Sequence, residues 1–150
     1  MVCCCTGHRP KGFPFIYGGS SEKYFIYLQK LRKIILKAIK EYGVTHFITG
    51  MAEGVDLDFA EIVLSLRKKY KTIKLECAIP YSTQNFGFDW ESDYRYARIL
   101  KLANEVNYIN LSTYGGYIHI GNNSNIGHNC ALYGQGGIEI GENVLVGPNC

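Results

Sequence analysis

The chain has 150 residues and a formal net charge of +3, which is within the usual size of one domain, about 100 to 200 residues. It has no apolar run of about 18 residues that would predict a membrane span, and its N-terminus lacks the basic segment of a signal peptide. We therefore expect a cytoplasmic protein without a membrane partner. The basic residues cluster on predicted helices without interleaved aromatic residues, so a nucleic-acid partner is not expected either.

Strands alternate with helices in the first part of the chain. Four apolar segments predict strands: residues 2–5, 44–49, 75–79 and 106–109. Apolar residues at helical spacing predict three helices, around Leu28, Leu31 and Ile35, around Phe59, Ala60 and Val63, and around Tyr96, Ile99 and Leu100. Ser20 or Ser21 would cap the first helix and Asp56 the second. This alternation implies right-handed crossovers and a parallel sheet, which is a Rossmann-like α/β domain.

Two loops after the first two strands carry unusual residues. Residues 6–10 read Thr-Gly-His-Arg-Pro, and residues 49–56 read Thr-Gly-Met-Ala-Glu-Gly-Val-Asp, with glycines that let backbone amides approach an anion at a helix start. Ligands of such sheets bind outside the carboxyl ends of the strands, so a phosphate or ribose would suit both loops. The glycines could equally serve only tight turns. The candidate ligand-binding residues are Thr6, Gly7, His8, Arg9, Thr49, Gly50, Met51, Ala52, Glu53, Gly54 and Asp56.

The two loops together resemble the YpsA-like branch of the SLOG superfamily, which includes DNA-processing protein A and the lonely-guy-type phosphoribohydrolases. Further positions that carry the resemblance are residues 79–81 (Ile-Pro-Tyr), Gln84, Trp90, Tyr94, Tyr96 and residues 105–109 (Glu-Val-Asn-Tyr-Ile). The resemblance covers residues 2–114. It implies a Rossmann-like pocket for a nucleotide or nucleotide derivative, and for this branch it implies no settled reaction.

Residue chemistry, read with that resemblance, suggests roles in the pocket. Arg9 would pair with a phosphate through its planar guanidinium group. The hydroxyl groups of Thr6 and Thr49 would donate hydrogen bonds, and Glu53 or Asp56 would accept them from ribose. No catalytic residue is predicted.

The cysteines and two of the histidines, His8 and His46, are not predicted to bind a metal ion. Cys3, Cys4 and Cys5 are consecutive in a predicted strand, so neighbouring side chains point to opposite faces and are poorly placed to share a disulfide or a metal ion. We expect reduced, buried thiols. His8 could be an acid, a base, a stacking group or only a hydrogen-bonding element, and His46 is interpreted as a packed or edge-facing strand residue. The sequence therefore predicts neither a metal site nor a cofactor.

The chain departs from the SLOG pattern after its fourth predicted strand. The resemblance leads us to expect an Arg-Asn segment and a further strand that ends in a Gly-Gly-Thr loop over the ligand. The chain instead continues through residues 111–114 (Leu-Ser-Thr-Tyr). Part of the expected pocket is therefore missing, and phosphoribohydrolysis of the lonely-guy type is not expected.

The composition changes near Thr113. All 16 Lys and Arg residues lie at or before Lys101, so against eleven acidic residues the first part has a net charge of +5 and the second has −2. The second part is rich in Gly, Asn and Ile. We predict two domains of unrelated architecture, residues 1–113 and 114–150.

The second part is a six-residue repeat. Its aliphatic positions are Ile120, Ile126 and Leu132, followed after a two-residue insertion by Ile140 and Val146. This pattern resembles the hexapeptide repeat of left-handed parallel β-helices, found in many acyltransferases, in which Gly or Asn residues turn the corners. Fewer than two coils are present, although repeat arrays generally need about three units, so the segment looks truncated. Its apolar residues should pack on the first domain, pack on a neighbouring chain in a homo-oligomer, or remain mobile.

Three hypotheses about function follow. The first is a SLOG-type domain that binds a nucleotide or nucleotide derivative, joined to a partial hexapeptide-repeat β-helix. The second is a fragment of a hexapeptide-repeat acyltransferase with the first part as an appendage. The third is a gene junction without a function of its own.

Overall fold

The computed structural model describes residues 1–80, 83–108, 110–112 and 115–150, with the backbone alone at 110–112. It divides the chain into two compact units, Met1–Cys77 with Asn85–Val106, and Ala78–Gln84 with Asn107–Cys150. The predicted junction at Thr113 lies outside the described residues, as do Tyr81 and Ile109. Among the described residues, no helix combines the length and the hydropathy that crossing a membrane requires.

The first unit contains three helices and most of a parallel sheet. The strands are β1 (Val2–Cys5), β2 (His46–Thr49), β3 (Lys74–Ile79) and β4 (Glu105–Tyr108), in the order β1-β2-β3-β4. The helices are α1 (Glu22–Tyr42), α2 (Val55–Arg67) and α3 (Trp90–Leu102), and a short 3₁₀ helix spans Pro10–Gly12. The predicted parallel α/β sheet is confirmed, with β2 shorter at its start than predicted.

The described strands follow one another in chain order without a reversal. Right-handed crossovers between successive neighbours place their helices on one face of the sheet, and α2 packs on β1 and β2 and against α1 and α3. Phe47, Leu75 and Cys77 point to this face and are fully buried. The opposite face carries side chains that are partly open to solvent, among them His46 and Lys74. The two faces of the sheet therefore differ in burial, unlike those of most parallel sheets.

Local signals explain the helix boundaries. The Ser21 side chain accepts a hydrogen bond from the Tyr24 amide at 3.5 Å and caps α1, and the left-handed Gly43 (φ 61°) ends it. Asp89 caps α3 by accepting from the Ser92 amide at 2.7 Å. The prediction that Asp56 caps α2 is wrong, because the capping position is occupied by Gly54 (φ 92°), without a side-chain cap. Asp56 lies inside the first turn instead.

The second unit consists of short parallel strands. They are β5 (Asn110–Ser112), β6 (Ile118–Ile120), β7 (Asn125–Ile126), β8 (Ala131–Tyr133), β9 (Ile138–Ile140) and β10 (Leu145–Val146). β5 pairs with β8, β6 with β9 and β7 with β10. Ile118 lies opposite Ile138, so the paired residues of β6 and β9 are 20 positions apart in the chain. Left-handed asparagines, including Asn123 and Asn143 (both φ 57°), turn the chain between strands.

All six cysteines are free thiols. Cys77 and Cys130 are buried, as predicted, whereas Cys4 and Cys150 are exposed. Cys4 is exposed because it alternates with Cys3 and Cys5 along β1 and so lies on the more open face of the sheet.

Candidate functional site

The two predicted loops meet at the carboxyl ends of β1 and β2. The Val55 amide, at the start of α2, donates a hydrogen bond to the His8 carbonyl oxygen at 3.2 Å. A Cβ atom at Gly54 would clash with that same oxygen and would lie 3.1 Å from the Arg9 Cα atom. A Cβ atom at Gly7 would lie 2.6 Å from the Val55 Cβ atom. These glycines therefore allow a close approach of the loops that other residues would prevent.

The lower part of the second loop is closed by internal hydrogen bonds. The Thr49 hydroxyl donates to the Asp56 carbonyl oxygen at 3.1 Å and accepts from the Met51 amide at 3.3 Å. Thr49 and Met51 are both fully buried, and Met51 has a left-handed backbone (φ 61°). Both predicted site residues therefore lie beneath the loop surface, where they support its shape.

Asp56 occupies amides that an anionic ligand would otherwise use. Its Oδ2 atom accepts a hydrogen bond from the Ala52 amide at 3.3 Å. Burial raises the pKa of the Asp56 carboxyl group, while the Ala52 amide, the positive charge of Arg9 and the Gly50 amide act in the opposite direction. The loop therefore contains an internal carboxylate that accepts hydrogen bonds from the Ala52 and Gly50 amides.

The outer surface of the site comes mainly from the first loop. Thr6, Gly7, His8 and Arg9 are exposed. The His8 ring packs edge-on against Phe13, with ring centroids 6.4 Å apart, which restricts the imidazole orientation. Arg9 is exposed, and its backbone lies against Gly54. The first loop therefore presents a guanidinium group beside the second loop.

Glu53 links the second loop to the N-terminus of α3. Its Oε1 atom accepts a hydrogen bond from the Asp89 amide at 3.4 Å, and both Glu53 and its neighbour Ala52 are partly exposed. The Tyr17 hydroxyl donates to the Gly54 carbonyl oxygen at 3.2 Å. The loop is thus joined to two segments that the sequence analysis did not assign to the site.

Those segments line a cavity of about 720 Å³ beside the loops. None of the predicted loop residues lines it. Its aromatic wall includes Trp90 and Tyr94, which are 81% and 64% exposed. Sequence reasoning noted both only as marks of resemblance. Tyr17 and Tyr24 are far in the chain from the start of α3, so the sequence gave no indication that they line one cavity.

A buried ion-pair network forms the floor of this region. Asp58 Oδ1 accepts hydrogen bonds from Arg95 Nη2 at 2.6 Å, from the Tyr17 hydroxyl at 2.9 Å and from the Tyr24 hydroxyl at 2.8 Å. Arg95 Nη2 also donates to Glu61 Oε2 at 2.9 Å. Burial, followed by the negative charge of Asp58, raises the pKa of Tyr17 to about 12. Because its partners already neutralise Arg95, this guanidinium group is structural and not a free anion ligand.

A parallel sheet with helices between its strands and two strand-to-helix loops that meet at its carboxyl end is a Rossmann-like α/β domain. The family model YpsA, described as the YspA SLOG family, matches residues 3–125. The chain therefore belongs to the YpsA family of SLOG domains, and this part of the sequence prediction is confirmed. The matched segment runs past Thr113 into the repeat. The search of the curated proteins found no match.

Proposed function

We propose that the first unit binds a nucleotide or nucleotide derivative at the converging loops, with its phosphate beside Arg9. The observation that carries the proposal is the contact of Gly54 with the backbone of His8 and Arg9, which brings an exposed arginine beside a glycine-rich helix start. Helix starts of this kind favour anions, and the guanidinium group matches phosphate geometry. Membership of the SLOG family supports the same ligand class.

The roles of the predicted residues divide according to their burial. Thr6, Gly7, His8 and Arg9 would contact the ligand from the first loop, and Gly50, Ala52 and Glu53 from the second. Thr49, Met51 and Gly54 would act through the loop conformation, because all three are buried. Asp56 would hold the loop closed while reducing its affinity for anions.

The aromatic cavity is the proposed place for the base of the ligand. Asp89 and Tyr17, which line it, hydrogen-bond the second loop at Glu53 and Gly54. Exposed Trp90 and Tyr94 rings could stack on a base, which is worth about 1 to 3 kcal/mol per base in nucleic-acid complexes. The phosphate and base positions would then be neighbours across one loop.

Titration calorimetry with AMP and ADP-ribose tests the proposal. Replacing Arg9 by Ala should weaken binding by about 1.5 to 3 kcal/mol, the contribution of a charged hydrogen bond. Lys11→Ala is the matched control, because it removes an exposed positive charge from the neighbouring 3₁₀ helix and should leave affinity nearly unchanged. Equal affinities of the wild type and Arg9→Ala would remove Arg9 from the site.

No reaction is assigned to this site. The Gly-Gly-Gly-x-x-Gly loop and the Arg and Glu pair of the lonely-guy enzymes are not recognisable here, so release of free base from AMP should not exceed the buffer rate. A release above that rate, abolished by Arg9→Ala, would add a hydrolase activity to the proposal.

For the second unit, we propose a partial hexapeptide-repeat β-helix. Parallel pairing at a spacing of 20 residues supports it, since one coil of three six-residue rungs plus the two-residue insertion has that length. Left-handed asparagines at Asn123, Asn129, Asn143 and Asn149 are consistent with repeated corners. The acyltransferase fragment and the gene junction remain the alternatives, and an acetyl-transfer activity of the isolated chain would favour the former.

A further inference from the structure

Three metal-ligating side chains meet at the end of the sheet opposite the loops. His46, Glu76 and Glu105 each offer one ligand atom, and these atoms all lie within 4.8 Å of one another. The His46 Nε2 atom is 2.7 Å from Glu76 Oε2. The three residues come from adjacent strands β2, β3 and β4, so the sheet itself brings them together.

Strand register explains why the side chains converge. Ile48 lies opposite Glu76 and His46 opposite Lys74, so His46 and Glu76 project from the same face of the sheet. This is the face that carries the more open side chains. His46 begins β2 and Glu105 begins β4, which places the cluster at the amino-terminal edge. The side chains of His46 and Glu76 are 30% and 16% exposed and Glu105 is exposed, so the cluster borders solvent on the Glu105 side.

The geometry of the His46 imidazole suits metal binding better than hydrogen bonding. Although His46 Nε2 is close to Glu76 Oε2, it is a buried atom with no hydrogen-bond partner among the described residues. The distance is short, but the direction is not that of a hydrogen bond. Neutral imidazole nitrogen is the commonest metal ligand in proteins, and a cation beside it would also offset the repulsion between the two carboxylates.

We propose that His46, Glu76 and Glu105 bind a divalent transition-metal ion, with Zn²⁺ as the best match. One nitrogen and two carboxylate oxygens suit zinc, which also accepts water as a fourth ligand, whereas Mg²⁺ prefers oxygen ligands alone. Ligand atoms at about 2.0 to 2.2 Å from a tetrahedral ion lie about 3.3 to 3.6 Å apart. Binding therefore requires the 2.7 Å contact to open by about 0.6 to 0.9 Å, which stays within the 4.8 Å spread of the ligand atoms.

The ion would have a structural role. The ion would join β2, β3 and β4 near the amino-terminal ends of the strands. The loops that we propose for the nucleotide follow the carboxyl-terminal ends, so the ion would be remote from that ligand. An ion that binds only the folded state raises its stability by mass action. The metal-site proposal and the nucleotide-binding proposal rest on different residues, so an experiment can contradict either one without affecting the other.

Calorimetry with Zn²⁺ on the full chain, after chelator treatment and dialysis, tests the site, with thermal unfolding as the second readout. We expect one ion per chain and a higher melting temperature with Zn²⁺ but not with Mg²⁺. Loss of groups that only orient ligands costs about 10- to 100-fold in metal affinity, so His46→Gln and Glu105→Gln should each cost at least as much. Glu105 is exposed, so its variant should fold normally.

Two control variants distinguish this site from Zn²⁺ binding by other side chains. His119 Nδ1 lies 3.1 Å from Glu139 Oε2 in the second unit, so His119→Gln removes a comparable pair without a third ligand and should leave Zn²⁺ affinity unchanged. Cys4→Ser removes the exposed thiol of β1 and should also have no effect. Equal Zn²⁺ affinity in the wild type and His46→Gln, loss of binding in Cys4→Ser, or no binding below millimolar Zn²⁺ would overturn the proposal. The last result would identify His46 and Glu76 as an ion pair without a metal.

Discussion

The two units are held together by different interactions. In the first, large side chains from distant parts of the chain are fully buried, including Phe47, Leu57, Leu75 and Ile99. In residues 115–150 of the second unit, all of which the structure describes, Cys130 is the one hydrophobic residue that reaches the same burial. Its order comes instead from parallel backbone pairing and left-handed asparagine turns. The comparison indicates that only the first unit has the packed core that a precise ligand site requires.

The strongest test of this contrast is the buried network of the first unit. Arg95→Ala would leave Asp58, whose side chain is 0% exposed, as an uncompensated buried charge, which typically costs about 3 to 5 kcal/mol. Urea unfolding followed by circular dichroism would measure the loss. Arg98→Ala is the control on the same helix, because its side chain is 50% exposed and exposed pairs contribute about 1 kcal/mol or less. Similar losses in both variants would contradict a special role for the buried pair.

Hydrogen exchange compares the two units directly. For a monomer, we expect amides of residues 46–49 to exchange about 100-fold more slowly than those of residues 138–146, since protection follows buried apolar packing. Size-exclusion chromatography with light scattering would establish the oligomeric state. Equally slow exchange in a monomer would show that the repeat is as well packed as the sheet. Slow exchange that depends on concentration would instead indicate self-association.

The tyrosines around Asp58 predict a loss of stability at high pH. Because the pKa of Tyr17 is raised from its usual 10.0 to about 12 in the folded protein, the unfolded chain releases this proton first. The stability it contributes is present below pH 10.0 and is lost as pH rises towards about 12. Tyr17→Phe should reduce the slope of unfolding free energy against pH in this window. An unchanged slope would show that Tyr17 ionises equally in both states.

The smallest expected effect concerns the anion affinity of the loop. Asp56→Asn keeps an oxygen that can accept from the Ala52 amide but removes the negative charge. Removing a charge a few ångströms from a phosphate in a hydrated site should strengthen binding by about 1 kcal/mol, or about fivefold. Calorimetry with AMP would measure the change. Weaker binding in Asp56→Asn would mean that the carboxylate accepts a hydrogen bond from the ligand, as for a ribose hydroxyl.

Sequence periodicity was sufficient to predict the parallel sheet because local signals specify it. An apolar segment at residues 44–49 marked β2, and Ser21 was one of the two serines predicted to cap α1. The sequence could not show that Asp58 and Arg95 pair, since they are 37 positions apart and each looks like an ordinary helix-surface charge. For the same reason, His46 resembled a packed strand residue until the structure placed its Nε2 atom 2.7 Å from Glu76 Oε2.

Burial also refined the predicted ligand site. Thr49 and Met51 belong to a loop that is plausible for phosphate binding, yet both are fully buried. Asp56 resembled a helix cap but bonds the preceding loop. Such distinctions depend on the tertiary contact between the two loops, for which a single sequence gives no direct signal.

Amide chemical shifts of the labelled protein during titration with ADP-ribose would show directly whether the two converging loops bind a nucleotide derivative. We expect the changes to concentrate at residues 6–9 and 50–54 and at the aromatic wall near Trp90, with little change at residues 138–146. They should be strongly reduced in Arg9→Ala. Saturable changes confined to the second unit, or changes in the loops that Arg9→Ala leaves intact, would contradict the proposed binding site.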